Sequence, residues 1–436
     1  MNTETSSTRP PLVPILILLG GFSLLLFFLL VSNITPTTRI TPQNVHLLHE
    51  TLRLEGGLRS NGNPPNGFAL SSDNTTLLVT SGYINDVWRL KDGNKQTMNL
   101  LDAGGATALV FFDGEQPLAT FANWTNSISF LNLNNGQTIQ RFDGITANIL
   151  YGDWNISPDH HWFVVTRNES VLSLSDMKTG EVRFSTNAPP DFLFRHINPT
   201  FSPDGTLLAT SLIRENPFGF DTFLWDAVTG KLVKHLGAFE AGMVDSFTFS
   251  HDGKLLAVGG ISSGDSSTSI IQLWDLEDGE KLTTWYGGGL SVQRLFFTPD
   301  DQTLVASGYG DVWLWDIPNA LKTGTPYLHL QDSGHGTDYA SMALSHDGVI
   351  MAVNSPKNDI LIYKVKTGAV IGKLSGHQNR INQLAFSDDD QFLISSSDDY
   401  TVRFWSVSTS NSYPKLTNPP TDVAVPAPIM TPTVPG

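Results

Sequence analysis

The sequence predicts an all-β protein, a β-propeller of eight blades (seven if one early copy is only a loop), preceded by one transmembrane helix. Three observations carry this. Aspartates at turn-like positions recur at 73, 113, 159, 204, 252, 300, 347 and 389, a period of about 40 to 48 residues that suits a four-stranded unit. Short segments of alternating or wholly apolar residues fill the intervals, separated by Asp-Gly and Thr-Gly pairs. Before all of them lies one long uncharged apolar run.

That run is Pro11 to Ser32, after a short tail of residues 1–10. As a helix it would span roughly 33 Å, enough for a bilayer core of about 30 Å. It is longer than the apolar core of a cleaved leader and lacks the small-residue cleavage site of one. The expectation is an uncleaved single-pass anchor with the large domain extracytoplasmic. Asn-x-Ser/Thr triplets at Asn33, Asn74, Asn123, Asn155 and Asn168 fit an exposed domain. A Thr/Pro-rich stalk, 33–46, leads into the propeller, 47–410.

One copy shows the physics of a blade. Ser246 to Ser250 alternates like a half-buried strand, and Asp252-Gly253 supplies the positive φ of a tight turn. Lys254 to Gly259 is an apolar strand, Ile270 to Leu276 a third, and Asp278-Gly279 turns into a fourth near Lys281 to Trp285. One such sheet cannot bury both faces. A ring of them buries each against its neighbours. The segment 47–54, before the first copy, reads as an orphan fourth strand that would complete the last copy and remove an exposed edge.

The recurring Phe-Ser-x-Asp-Gly and Leu-Trp-Asp elements, as in 201–205 with 224–226 and 249–253 with 273–275, resemble the WD40 repeat family over roughly residues 48 to 408. The last copy is nearly complete: Gly376-His377, Ser395, Asp399, Thr401 and Trp405. The resemblance implies a hydrogen-bonded relay of His377, Ser395, Asp399 and Trp405 bracing that blade, with Ser397 an alternative to Ser395. Most other copies depart from the pattern: Tyr363 replaces tryptophan, and Gly334-His335 is the one other Gly-His.

The tail, 411–436, is proline-rich and is expected to be disordered. With 42 acidic against 26 basic residues and a net charge of -16, the chain repels phosphate backbones, so nucleic acid is excluded as a partner. With no cysteine there is neither a disulfide framework nor a thiolate metal site. Asp159-His160-His161 reads as a hairpin turn, not a metal site, because other copies carry Asp-Gly there. Gly260 to Gly264 matches Gly-x-Ser-x-Gly but is followed by a strand where a nucleophile elbow needs a helix. No cofactor is expected.

Binding surfaces are more informative. In the family, the loops between second and third strands gather on one face of the ring. Two are long here, Arg214 to Asp221, which offers Phe218 and Phe220, and the polar 261–269. Connecting loops add Phe192, Phe194, Arg195, Trp285 and Tyr286, residue types that dominate binding hot spots. The expectation is a non-catalytic protein-binding scaffold. The alternatives are a hydrolase, dehydrogenase or small-molecule binder with a ligand in the central channel, or an envelope-assembly factor.

Overall fold

The computed structural model describes residues 38–407, apart from 56–63, 66, 82–83, 100–110, 113–117, 123–127, 133–136, 143–153, 168–170, 195–198, 240–241, 262–267, 289–290, 309–310 and 332–340. Among the described residues the strands form eight antiparallel sheets. Sheets one to seven are continuous in sequence: 67–99, 111–142, 154–187, 192–239, 243–288, 292–331 and 342–374. The eighth takes three strands from 381–406, and its outer strand is His49–Leu54, from the other end of the chain. His49 pairs with Ser406 and Leu54 with Val402, and Leu52 and Leu54 are buried in the layer shared with sheet one.

Neighbouring sheets pack through shared apolar layers, as the period demands. Phe220, Phe239 and Ile213 of sheet four meet Val244, Phe247 and Ile270 of sheet five. Trp285 of sheet five stacks on Trp315 of sheet six at 5.4 Å. Equivalent layers join three to four, six to seven, seven to eight and eight to one. Phe163 of sheet three packs edge-on to Phe130 of sheet two.

Each described turn between first and second strands has one design; that of sheet two, 113–117, lies outside the described residues. A Ser or Thr hydroxyl donates to the aspartate two residues on, and also accepts the N–H that opens the second strand. The residue after the aspartate is left-handed. It is glycine at 205, 253 and 348, but Asn74, His160, Asp301 and Asp390 elsewhere, with φ of 54 to 58°. Asn, Asp and His tolerate this region best among residues with a Cβ. This explains why the early and late copies lack Asp-Gly yet keep the fold.

Asp301 and Asp390 do more than turn. The Asp301 carboxylate accepts from the backbone N–H of His251 and Asp252 and bonds His251 Nδ1 at 3.0 Å, in the turn of the preceding sheet. Asp390, fully buried, holds His346 in the same way. These two carboxylates clasp turn to turn at the junctions of sheets five with six and seven with eight. The side bearing these turns is here the turn face; the opposite side, where second and third strands connect, is the loop face.

Two expectations fall on residues that are not described, and one changes. The membrane segment 11–32 and the tail 411–436 lie outside the described residues, and among the described residues no helix is long and apolar enough to cross a membrane. The second half of the stalk is part of the propeller. Ile40 and Val45 are buried between sheets seven and eight, and Arg39 bonds Asp390. Apolar side chains on a polar stretch found a cleft that the Thr/Pro composition did not reveal. A short helix, Ile317–Thr323, replaces the usual turn between third and fourth strands of sheet six. Asp316 caps it by accepting from Asn319 N, and left-handed Gly324 ends it.

Candidate functional site

The relay residues of the last repeat come together. His377 Nδ1 lies 2.9 Å from Asp399 Oδ2 and its Nε2 lies 2.7 Å from Ser395 Oγ. Trp405 Nε1 donates to the same Ser395 hydroxyl at 3.0 Å, and Thr401 Oγ1 donates to Asp399 at 2.6 Å. Ser397 instead donates to the Asn379 carbonyl. Burial opposes the Asp399 charge, but hydrogen bonds from His377, Thr401 and Gln378 N outweigh it and hold the carboxyl well below the usual range. The buried Arg403 then links Asp399 to Glu50 on the incoming strand, at 3.2 and 2.9 Å. The relay thus bonds across the seam where the two chain ends meet. Every member is consumed by a partner, so the histidine is a brace and not a free base.

Other sheets carry a brace that the sequence reading missed. In sheet four Asp221, on the third strand, bonds His235 on the fourth at 2.7 Å, and the imidazole stacks on Phe223 at 4.4 Å. In sheet six Asp311, His329 and Trp313 repeat the arrangement. In sheet one Lys95 takes the histidine's place between Asp86 and Trp88. The visible signal is Asp-x-aromatic, but the partner's offset changes from sheet to sheet with strand length, so spacing alone does not find it. Trp225 donates to Thr210 at 2.8 Å, the counterpart of the Trp405–Ser395 bond.

The loop face is uneven. In sheet four the second and third strands run nine residues each, Leu207–Glu215 and Phe218–Asp226, against six in sheet three. Three extra residues raise this hairpin about 10 Å. An added strand, Phe192–Leu193, pairs with its flank at Arg214 and Ile213. At the tip Phe218 is 70 % exposed, edge-on to Phe220 at 5.8 Å. Arg214 is held in place by donating to the Pro217 carbonyl and lying 3.5 Å from Asp221. Tyr286 and Met243 of sheet five are the other exposed large apolar side chains toward this face among the described residues.

The remaining predicted contacts are not available. Phe194, Phe220 and Trp285 are buried to 2 % or less: strands that extend further than the repeat suggests carry Phe220 and Trp285 into the inter-sheet layers, and Phe194, just past the added strand, packs on Trp225 at 5.6 Å. Phe192 is half-buried against Phe223 at 5.0 Å. Arg195 lies outside the described residues. Two glycosylation-like asparagines are occupied as well: Asn155 donates to the Pro199 carbonyl and Asn74 to Asp389.

On the turn face, Asp159-His160-His161 forms a hairpin turn, with His160 at the left-handed position and Asp159 accepting from Ser157. Beside it Arg183 lies over the Trp162 ring at 4.4 Å, in a groove that Pro158 and Pro203 complete.

Comparison with known proteins agrees with this geometry. Residues 368–406 match the model described as WD domain, G-beta repeat. Periodic tryptophan protein 2 of Arabidopsis thaliana is 30% identical over 171 residues, 38% of this chain and 18% of its own length. The nuclear distribution protein PAC1 of Arthroderma otae is 31% identical over 163 residues, 36% of this chain and 35% of its own length. The chain therefore spans well under two thirds of either relative. Among solved structures the Dos1 propeller superposes with a TM-score of 0.64 at 12% identity, covering 85% of this chain and 97% of that one, a likeness of fold.

Proposed function

Starting from a β-propeller that carries the WD40 repeat, we propose that this protein is a non-catalytic binding scaffold, displayed at a membrane by residues 11–32, that holds a protein partner on its loop face. The raised hairpin of sheet four carries the proposal. It is longer than the ring requires, is buttressed by an added strand, and ends in an exposed phenylalanine. A rigid element that presents an aromatic anchor is the form binding hot spots take. Propellers of this kind generally bind proteins, and the described histidines with a relay geometry are all engaged in bracing. The uncharged run Pro11 to Ser32 supports the membrane display.

The test is site-specific photocrosslinking in the native membrane. A crosslinker at Phe218 or Tyr286 is expected to yield a discrete adduct, and one at Val370 on the opposite side none. Truncating the hairpin anchor, Phe218→Ala, is expected to weaken capture of that partner about thirtyfold, equivalent to a hot spot of roughly 2 kcal/mol. Adducts that form equally at both faces would refute the assignment of the loop face.

A further inference from the structure

We infer that the turn face of the propeller rests against the lipid surface, so that the loop face is held outward. The inference rests on the reading of residues 11–32 as an anchor and adds which side of the ring the membrane meets.

The first support is topological. The incoming strand begins at the turn face, where His49 pairs with Ser406. Before it, Arg39 lies against Asp390 and Asp347, in the turns of sheets eight and seven, and Ile40 N donates to the Asp390 carbonyl. From Ser32 to Thr38 the tether is six residues, at most about 20 Å when extended. A tether that short, leaving from a fixed point on the turn face, keeps that face next to the bilayer.

The second support is the distribution of exposed apolar side chains. Apart from Phe218, Met243 and Tyr286, the large ones among the described residues lie toward the turn face. Val182, Val233, Leu282 and Val370 occupy the first or second position of the outermost strands in sheets three, four, five and seven. Leu321 projects from the short helix of sheet six, and Val349 from the turn of sheet seven. Scattered exposed aliphatics need no explanation. These recur in one sheet after another at the rim of the face that carries the tether. Trp162 with Arg183 over its ring adds an amphipathic pair of the kind favoured at membrane interfaces.

Electrostatics selects the lipid. The turn aspartates are kept ionised by their own turns: hydrogen bonds from Ser202 and Thr206 hold Asp204 below the usual carboxylate range, and Asp252 and Asp300 are held likewise. Ionised aspartates interleaved with exposed lysines at turns of the same face, Lys178, Lys231, Lys254 and Lys322, under an aliphatic rim suit zwitterionic headgroups.

The native chain has no cysteine, so single-cysteine variants of the full chain report position cleanly. Val370→Cys, Leu321→Cys, Phe218→Cys and Tyr286→Cys, each carrying a fluorophore, would be reconstituted into phosphatidylcholine vesicles containing a headgroup spin-labelled lipid as a short-range quencher. Quenching at 370 and 321 is expected to exceed that at 218 and 286 at least threefold. Equal quenching, or stronger quenching at 218 and 286, would overturn the inference while leaving the anchor intact. A chain that fails to float with the vesicles would overturn the anchor reading itself. Adding Val233→Ser, Leu282→Ser and Val370→Ser to the protein labelled at 321 is expected to halve its quenching or more with flotation unchanged. Unchanged quenching would show that the rim makes no lipid contact.

Discussion

Asp399 shows how one carboxylate can hold a repeat together. It faces His377, Thr401, Gln378 N and Arg403 at once, and these partners outweigh the burial that would otherwise raise its pKa. A carboxylate depressed in the folded state adds stability above its unfolded value, about 3.9, and loses it as pH falls through the folded value. Denaturant unfolding at a series of pH values should therefore show wild-type stability falling below about pH 4. Asp399→Asn should be less stable by about 1–3 kcal/mol at pH 7 and flatter in the acid range, so that the curves converge. Parallel curves would mean that the charge contributes nothing. These residues are legible in the sequence because the last copy keeps the repeat's spacing. The His235–Asp221 and His329–Asp311 pairs are not, since they depend on cross-strand register.

Among elements, the turns decide how sheet meets sheet. The left-handed residue is the instructive position. Glycine there serves the turn alone, whereas aspartate also reaches back to clasp the previous turn. Because Asp390 already holds φ 54°, Asp390→Gly removes the clasp without straining the backbone. We expect it to cost about 2 kcal/mol, the loss of charge-assisted hydrogen bonds outweighing glycine's conformational advantage. The readout is the thermal midpoint. An unchanged or raised midpoint would mean that the apolar layers alone fix the spacing. The loop-face elements were harder to foresee. Repeat spacing places Phe220 in a loop and Trp285 where a strand gives way to one, but strands that outrun the average repeat draw both into the core, and the period contains no information about individual strand length.

For the whole molecule, the seam is the feature on which closure depends. The period and the apolar character of 47–54 are enough to anticipate that this segment joins the last sheet. The burial of Ile40 and Val45 is not visible in the same way, because their cleft exists only once sheets seven and eight have met. A chain beginning at residue 55 would expose the Thr401–Ser406 edge and strand the buried Arg403 without Glu50. Light scattering should find it oligomeric or aggregated, as open edges dictate. A well-behaved monomer with an unchanged melting temperature would show the seam to be dispensable.

The same seam has a mechanical consequence. A pull on the N-terminal segment reaches Arg39 and its two aspartates first, then runs along the axis of His49–Leu54. That strand is bonded sideways to Thr401–Ser406, so its hydrogen bonds bear the load together in shear and do not open one after another. The join that closes the ring is also placed where it would carry tension between the tether and whatever the far face holds.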